Sequence, residues 1–136
     1  MISPLIPKLR NMEWIDDTVA IGSWVDHRAY ERQKREGIEL SMNARCFFDQ
    51  TFFSVGRLPD VAKVNKAADV LVDLSKRGVK VMVHCHHGKD RSPFVAMIYL
   101  SKRHGISYPE AFEMIRKGRP RAVYHQEWVD VLQADR

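Results

Sequence analysis

The stretch from Val79 to Leu100 leaves the chain few paths to follow. Val79-Lys80-Val81-Met82-Val83 is a β-branched run of strand length, and Pro93 is followed by Phe94-Val95-Ala96-Met97-Ile98-Tyr99-Leu100, an apolar segment suited to a buried helix. Between them lie His84-Cys85-His86-His87-Gly88-Lys89-Asp90-Arg91-Ser92. A strand and a helix joined by so short a connection reverse direction across Cys85 to Arg91. That puts the connection at the carboxyl end of a strand, where α/β sheets bind their ligands. Ser92 suits an N-cap and Pro93 the first helical position, so the helix is expected to start at Pro93.

The rest of the chain alternates in the same manner. Thr18-Val19-Ala20-Ile21 reads as an edge strand, Asp26 to Glu36 as a charged helix closed by Gly37, and Ile38 to Asn43 as a further strand. Val61, Val64, Ala68, Leu71 and Leu74 recur at helical spacing, which predicts an amphipathic helix over Pro59 to Arg77 closed by Gly78. The helix from Pro93 runs to Arg103 and ends at Gly105. Ser107 and Glu110 have capping-box spacing for a helix reaching Gly118. Glu127 to Leu132 forms a last short helix that turns Trp128, Val131 and Leu132 inward. The expectation is an α/β fold with a central, largely parallel sheet flanked by helices. Residues 1–136 are read as one domain with its core over about residues 13–133, since 45% hydrophobic residues supply enough material for one core.

Successive N–H groups in a loop that opens a helix make an anion cradle. His86, His87, Gly88, Lys89, Asp90 and Arg91 are therefore the candidate phosphate-binding residues, with the Arg91 guanidinium completing the site. Cysteines at helix N-termini or beside cations ionise more readily than free thiols, and the thiolate is the nucleophilic form, so Cys85 is the candidate nucleophile. Ser92 can hydrogen-bond the sulfur and ease its departure from a phosphocysteine. No metal and no other cofactor is expected. The adjacent His84, Cys85, His86 and His87 cannot readily converge on one ion, and no Cys-x-x-Cys or His-x-x-x-His pair lies elsewhere. Nor is Gly88-Lys89 a Walker loop, because Val83 stands where the first glycine belongs and Asp90 where Ser or Thr belongs.

The net charge of +5 favours anionic partners without choosing among them. Most basic residues read as solvated helix faces, while the segment Arg116 to Arg121 is a candidate border of the phosphate site. There is no apolar run of about 18 residues and no signal-peptide core at Met1-Ile2-Ser3-Pro4. With only two cysteines, Cys46 and Cys85, the expectation is a reducing, cytoplasmic setting.

His84, Cys85, Arg91 and Ser92 resemble the signature of cysteine-based phosphatases of the protein-tyrosine phosphatase superfamily: His-Cys, five residues, Arg, then Ser or Thr. Ala20-Ile21-Gly22-Ser23, Gly37 to Asn43, Ala67-Ala68-Asp69, Tyr99-Leu100, Glu110-Ala111 and Arg119-Pro120 resemble the compact dual-specificity phosphatases in the same order. The resemblance implies an α/β phosphatase fold and a phosphocysteine intermediate. It also implies a loop-shaping His84 and a general acid, an Asp on a loop upstream of the cysteine. Asp49, after Cys46-Phe47-Phe48, is favoured for that acid. Asp60 is the alternative, but an acid in the first turn of a helix is already accounted for by the helix dipole.

The chain departs from the family's pattern in a shorter Ala44 to Pro59 segment and in Tyr124-His125, where the family often carries Pro-Asn. Nothing supplies the deep phosphotyrosine-recognition loop of the classical enzymes, which implies a shallower pocket. The substrate expected first is a phosphorylated protein, through phosphotyrosine and also phosphoserine or phosphothreonine. Phosphoinositides and RNA 5′-triphosphate ends are the alternatives, as is a phosphate-binding module without turnover. No stable nucleic-acid or membrane partner is implied. Cys46 is a candidate disulfide partner for Cys85 under oxidation, or else a plain apolar residue.

Overall fold

The computed structural model describes residues 12–48 and 58–134. Four strands form one sheet: β1 (Glu13–Trp14), β2 (Val19–Gly22), β3 (Leu40–Asn43) and β4 (Val81–His84), in the order β1-β2-β4-β3. β4 runs parallel to both neighbours, with Gly22 and Asn43 flanking His84 at the carboxyl end. The sheet is thus largely parallel, and the loop carrying Cys85 leaves from its centre.

The expectation that residues 18–21 form an edge strand is overturned. β1 pairs antiparallel outside β2, Glu13 opposite Ile21 and Trp14 opposite Ala20, and all four residues of β2 are buried. Two residues are too short a run for alternation to reveal a strand. The edges are β1 and β3, and β3 is mostly exposed.

Among the described residues six α-helices surround the sheet: α1 (Trp24–Arg28), α2 (Tyr30–Glu36), α3 (Val61–Lys76), α4 (Arg91–His104), α5 (Tyr108–Gly118) and α6 (Gln126–Ala134). A single helix over Asp26 to Glu36 is not what forms. Ser23 caps α1 in a capping box with Asp26, which starts the helix early, and Ala29 at φ −84°, ψ 61° breaks the run before α2. α4 is buried without interruption from Ser92 to Leu100, because α3 and α5 flank it while β2 and β4 cover another side. α5 begins as its spacing predicts, with Ser107 accepting from the Glu110 N–H at 3.2 Å. In α6 the inward residues are Trp128, Val129 and Leu132, not Val131. The i, i+1, i+4 stripe of those three faces the core, and Val131 falls at its margin.

Candidate active site

The peptide planes of the loop are oriented by their carbonyls. The Trp24 N–H donates to the His86 carbonyl at 3.1 Å and the Val123 N–H to the Lys89 carbonyl at 2.8 Å. Arg119 takes the two between them, donating through Nη2 to His87 at 3.3 Å and through Nε to Gly88. A trans peptide points its C=O and N–H in opposite directions. Four consecutive carbonyls turned out toward the scaffold therefore turn the N–H groups of His87, Gly88, Lys89 and Asp90 inward. Gly88 is obligatory in this arrangement: its φ is +69°, and an added Cβ would lie 2.7 Å from the Gly22 carbonyl.

The helix behind the loop begins earlier than expected. Asp90 occupies the N-cap and makes no side-chain cap, Arg91 is the first helical residue, and the first α-helical bond runs from the Phe94 N–H to the Asp90 carbonyl at 3.2 Å. Pro93 thus lies in the first turn, where no N–H has an intrahelical acceptor and its missing donor costs nothing. The expectation that Ser92 caps the helix is corrected. Its hydroxyl is instead paired with the Cys85 sulfur, Sγ to Oγ 3.2 Å, both side chains being buried.

The Arg91 guanidinium lies over the Phe48 ring, 5.9 Å from its centroid. Phe48 in turn packs on Phe94 and Trp128, so the guanidinium lies against an aromatic cluster. His84 is buried at the end of β4 and stacks on His27 with ring centroids 4.2 Å apart. Burial first, then the neighbouring His27, pushes its pKa down to about 4, so it is a neutral shaping residue at pH 7. The His86 imidazole is also biased toward its neutral form, first by desolvation and then by His87, Arg45 and Arg91.

Residues 21–134 match the family described as dual specificity phosphatase, catalytic domain. The chain belongs to this family. Protein-tyrosine-phosphatase IBR5 of Arabidopsis thaliana is 28% identical over 126 residues, covering 89% of this chain and 49% of that protein. Among solved structures, Tk-PTP in its active form superposes with a TM-score of 0.71 at 24% identity, covering 92% of this chain and 95% of the other. PTPMT1 in complex with PI(5)P gives 0.72 at 22% identity, covering 90% and 92%. The chain spans about half the length of the first curated relatives it matches.

Within this dual-specificity phosphatase frame, two residues act on the loop in ways the sequence did not assign. Arg119, 1% exposed, holds the Glu13 carboxylate and the Ile21 carbonyl (3.5 Å) through Nη1 besides the two loop carbonyls. Burial raises the Glu13 pKa, opposed by the arginine beside it. The basic segment Arg116 to Arg121 does border the loop, but Arg119 faces its outer side. The signals for it were that basic segment and the Arg119-Pro120 pair. His125, where the family often carries Asn, stacks on Trp128 with centroids 3.8 Å apart, and its Nε2 lies 2.7 Å from Asp90 Oδ1. Asp90 is thereby tied to α6.

Asp60 is the N-cap of α3, its Oδ1 accepting from the Lys63 N–H at 3.1 Å, one position before the first turn in which it was expected. Asp49 lies outside the described residues. Cys46 is exposed, Cys85 is buried, and both are free thiols. Among the described residues no cluster of three or more potential metal ligands forms, and no helix is long and apolar enough to cross a membrane.

Proposed function

We propose that this domain hydrolyses phosphomonoesters of phosphorylated proteins through a phosphocysteine intermediate. The supporting observation is the outward anchoring of four successive loop carbonyls, which presents a row of N–H donors to an oxyanion. The Cys85 sulfur attacks phosphorus, forming the S–P bond as the ester P–O bond breaks. The leaving oxygen takes a proton from the general acid. Inward N–H groups and Arg91 hold the equatorial oxygens, where charge accumulates. Water then attacks phosphorus, giving a proton to the carboxylate that the general acid has become, the S–P bond breaks, inorganic phosphate leaves, and the Ser92 hydroxyl stabilises the departing sulfur. A cytoplasmic place of action belongs to the same proposal and is supported by the two free thiols.

The expected result is release of p-nitrophenol from p-nitrophenyl phosphate, with acid-quenched protein gaining one phosphoryl group on the peptide containing Cys85. Aryl phosphate turnover without that adduct would refute the covalent step, and phosphate binding without turnover would make the domain a recognition module. Phosphopeptides, phosphoinositides and triphosphorylated RNA, compared by kcat/KM, rank the substrate classes.

Asp49 is proposed as the general acid, since it follows Phe48, the ring beneath Arg91, whereas the Asp60 carboxylate already serves as a cap. Asp49→Asn is expected to lower kcat by about 10²–10⁴-fold and to remove the alkaline limb of the kcat/KM profile. Asp60→Asn keeps a good cap and loses only the charge at the helix N-terminus. It should cost a few tenths to about 1 kcal/mol of stability with kinetics intact. A collapsed rate in Asp60→Asn beside an unchanged profile in Asp49→Asn would reverse the assignment.

A further inference from the structure

The segment that leads into α6 grips the loop at two successive residues. The Val123 N–H donates to the Lys89 carbonyl at 2.8 Å, and His125 Nε2 lies 2.7 Å from Asp90 Oδ1. Asp90 is the one carboxylate between His84 and Ser92. Its charge therefore stands inside the loop that has to bind an oxyanion, one residue before Arg91 and on a residue whose own N–H belongs to the donor row. An unopposed carboxylate there would repel the ligand.

His125 is fixed through both its backbone and its ring. Its carbonyl accepts the Trp128 and Val129 N–H groups at 3.1 and 3.2 Å, which anchors it at the start of α6. Its ring stacks on Trp128 with the planes 20° apart, and Trp128 in turn meets Phe48 and Phe94, Phe48 being the ring beside Arg91. Its Nδ1 lies 3.0 Å from Glu127 Oε1, so each ring nitrogen faces a carboxylate oxygen. An ionised carboxylate only accepts, and a neutral imidazole has a single N–H, so both bonds form together only in the imidazolium. Glu127 favours its ionised form, its pKa lowered first by its own backbone N–H and then by His125. The charged groups facing the ring are thus Asp90 from the loop and Glu127 from α6, with Lys89 and Arg91 flanking Asp90 in the chain, while Asp130 and Tyr108 bear on Tyr124.

We propose that His125 is a positioning residue of the phosphate site: as the imidazolium it holds the Asp90 carboxylate against α6 and offsets its charge, and oxyanion binding weakens when the ring loses its proton. This rests on the reading of the Cys85 loop as a phosphate cradle and adds a pH response to it. Neutral His125 keeps at most one of its two bonds and no longer offsets Asp90, whose carboxylate then adds to the repulsion felt by a dianion. The asparagine that the family often carries here can donate a hydrogen bond but cannot titrate. The response therefore comes from a residue at which this chain departs from the family's pattern.

The test measures the affinity of the full chain for tungstate, a dianion throughout, by calorimetry between about pH 6 and pH 8, the span in which an imidazole titrates. His125→Gln sets an amide N–H near the place of Nε2 and does not ionise, whereas His125→Ala removes both the bond and the stack. At about pH 6 alanine is expected to weaken tungstate binding by about three- to tenfold, the scale of one hydrogen bond, and glutamine to recover most of that loss. From about pH 6 to pH 8 the parent should lose about two- to fivefold more affinity than the glutamine protein, the scale of a partly exposed ion pair. Cys85, His86 and His87 are present in every protein and cancel in this comparison. Equal pH responses in parent and glutamine protein would overturn the proposal. So would an alanine protein that melts lower yet binds tungstate as the parent does, since His125 would then be scaffold alone. If the alanine protein does not fold, the parent and glutamine profiles still decide. If p-nitrophenyl phosphate is not hydrolysed the phosphatase reading fails, and the tungstate affinities still decide the role of His125. Absence of tungstate binding in the parent would overturn both.

Discussion

Cys85→Ser protein is expected to bind tungstate with nearly wild-type affinity yet to turn over p-nitrophenyl phosphate at least about 10⁴ times more slowly, the scale on which loss of a covalent nucleophile is felt. The two halves of this result have separate structural causes. Binding is the work of inward N–H groups whose carbonyl partners are held by Trp24, Arg119 and Val123, and none of those contacts involves the sulfur. Turnover requires the stronger nucleophile, and a serine hydroxyl is a far weaker one than a cysteine sulfur. The Ser92 hydroxyl 3.2 Å from the sulfur accommodates an oxygen there, so the fold should hold. Calorimetry and a stopped assay on one preparation check both halves. Residual activity within tenfold of wild type would remove Cys85 from the mechanism, and lost tungstate binding would show that the sulfur itself builds the cradle.

The largest expected effect on stability comes from Arg119→Ala. The guanidinium is buried and satisfies the Glu13 carboxylate and the His87 and Gly88 carbonyls at once. Removing it leaves a half-buried carboxyl and two carbonyls unpaired. Breaking a buried ion pair from one side costs about 3–5 kcal/mol, which for a domain of this size is roughly a 10–20 °C fall in Tm. Lysine does not restore the bonds, because a single ammonium cannot span acceptors that the planar fork reaches together. Below the new Tm, tungstate affinity should fall as well, since two of the four carbonyl anchors are gone. Thermal melts followed by circular dichroism, with calorimetry on the folded protein, test this. An unchanged Tm would mean that Arg119 is no latch.

The central strand, the loop and the long buried helix were legible because each announces itself locally. β-branched residues end in a polar run, and a proline precedes seven apolar residues. The end of α2 at Gly37 and the start of α5 at Ser107 were readable for the same reason, as cap chemistry depends on neighbours a few positions away. What was hidden depends on distant partners. The covering of β2 by the two residues of β1 needs Glu13 to meet Ile21, and nothing near either residue records it. Ser92 looked like a cap because serine usually is one. Its reach to the sulfur was expected, but only the fold passes the cap position to Asp90. Arg119 and His125 act on the loop across 31 and 35 residues of chain, beyond the range of any spacing rule.

The donors that turn the loop's carbonyls outward come from Trp24 on one side and from Arg119 and Val123 on the other, so the loop matures only when both ends of the domain have docked around β4. Each of these closures must also offset its own loop-closure entropy, which rises by about 0.6 kcal/mol for each doubling of the span. A nascent or partly unraveled chain therefore exposes a cysteine without the oxyanion donors that would arm it. Oxyanion binding is thus a property of the completed tertiary structure and not of the strand, loop and helix that carry Cys85 taken alone.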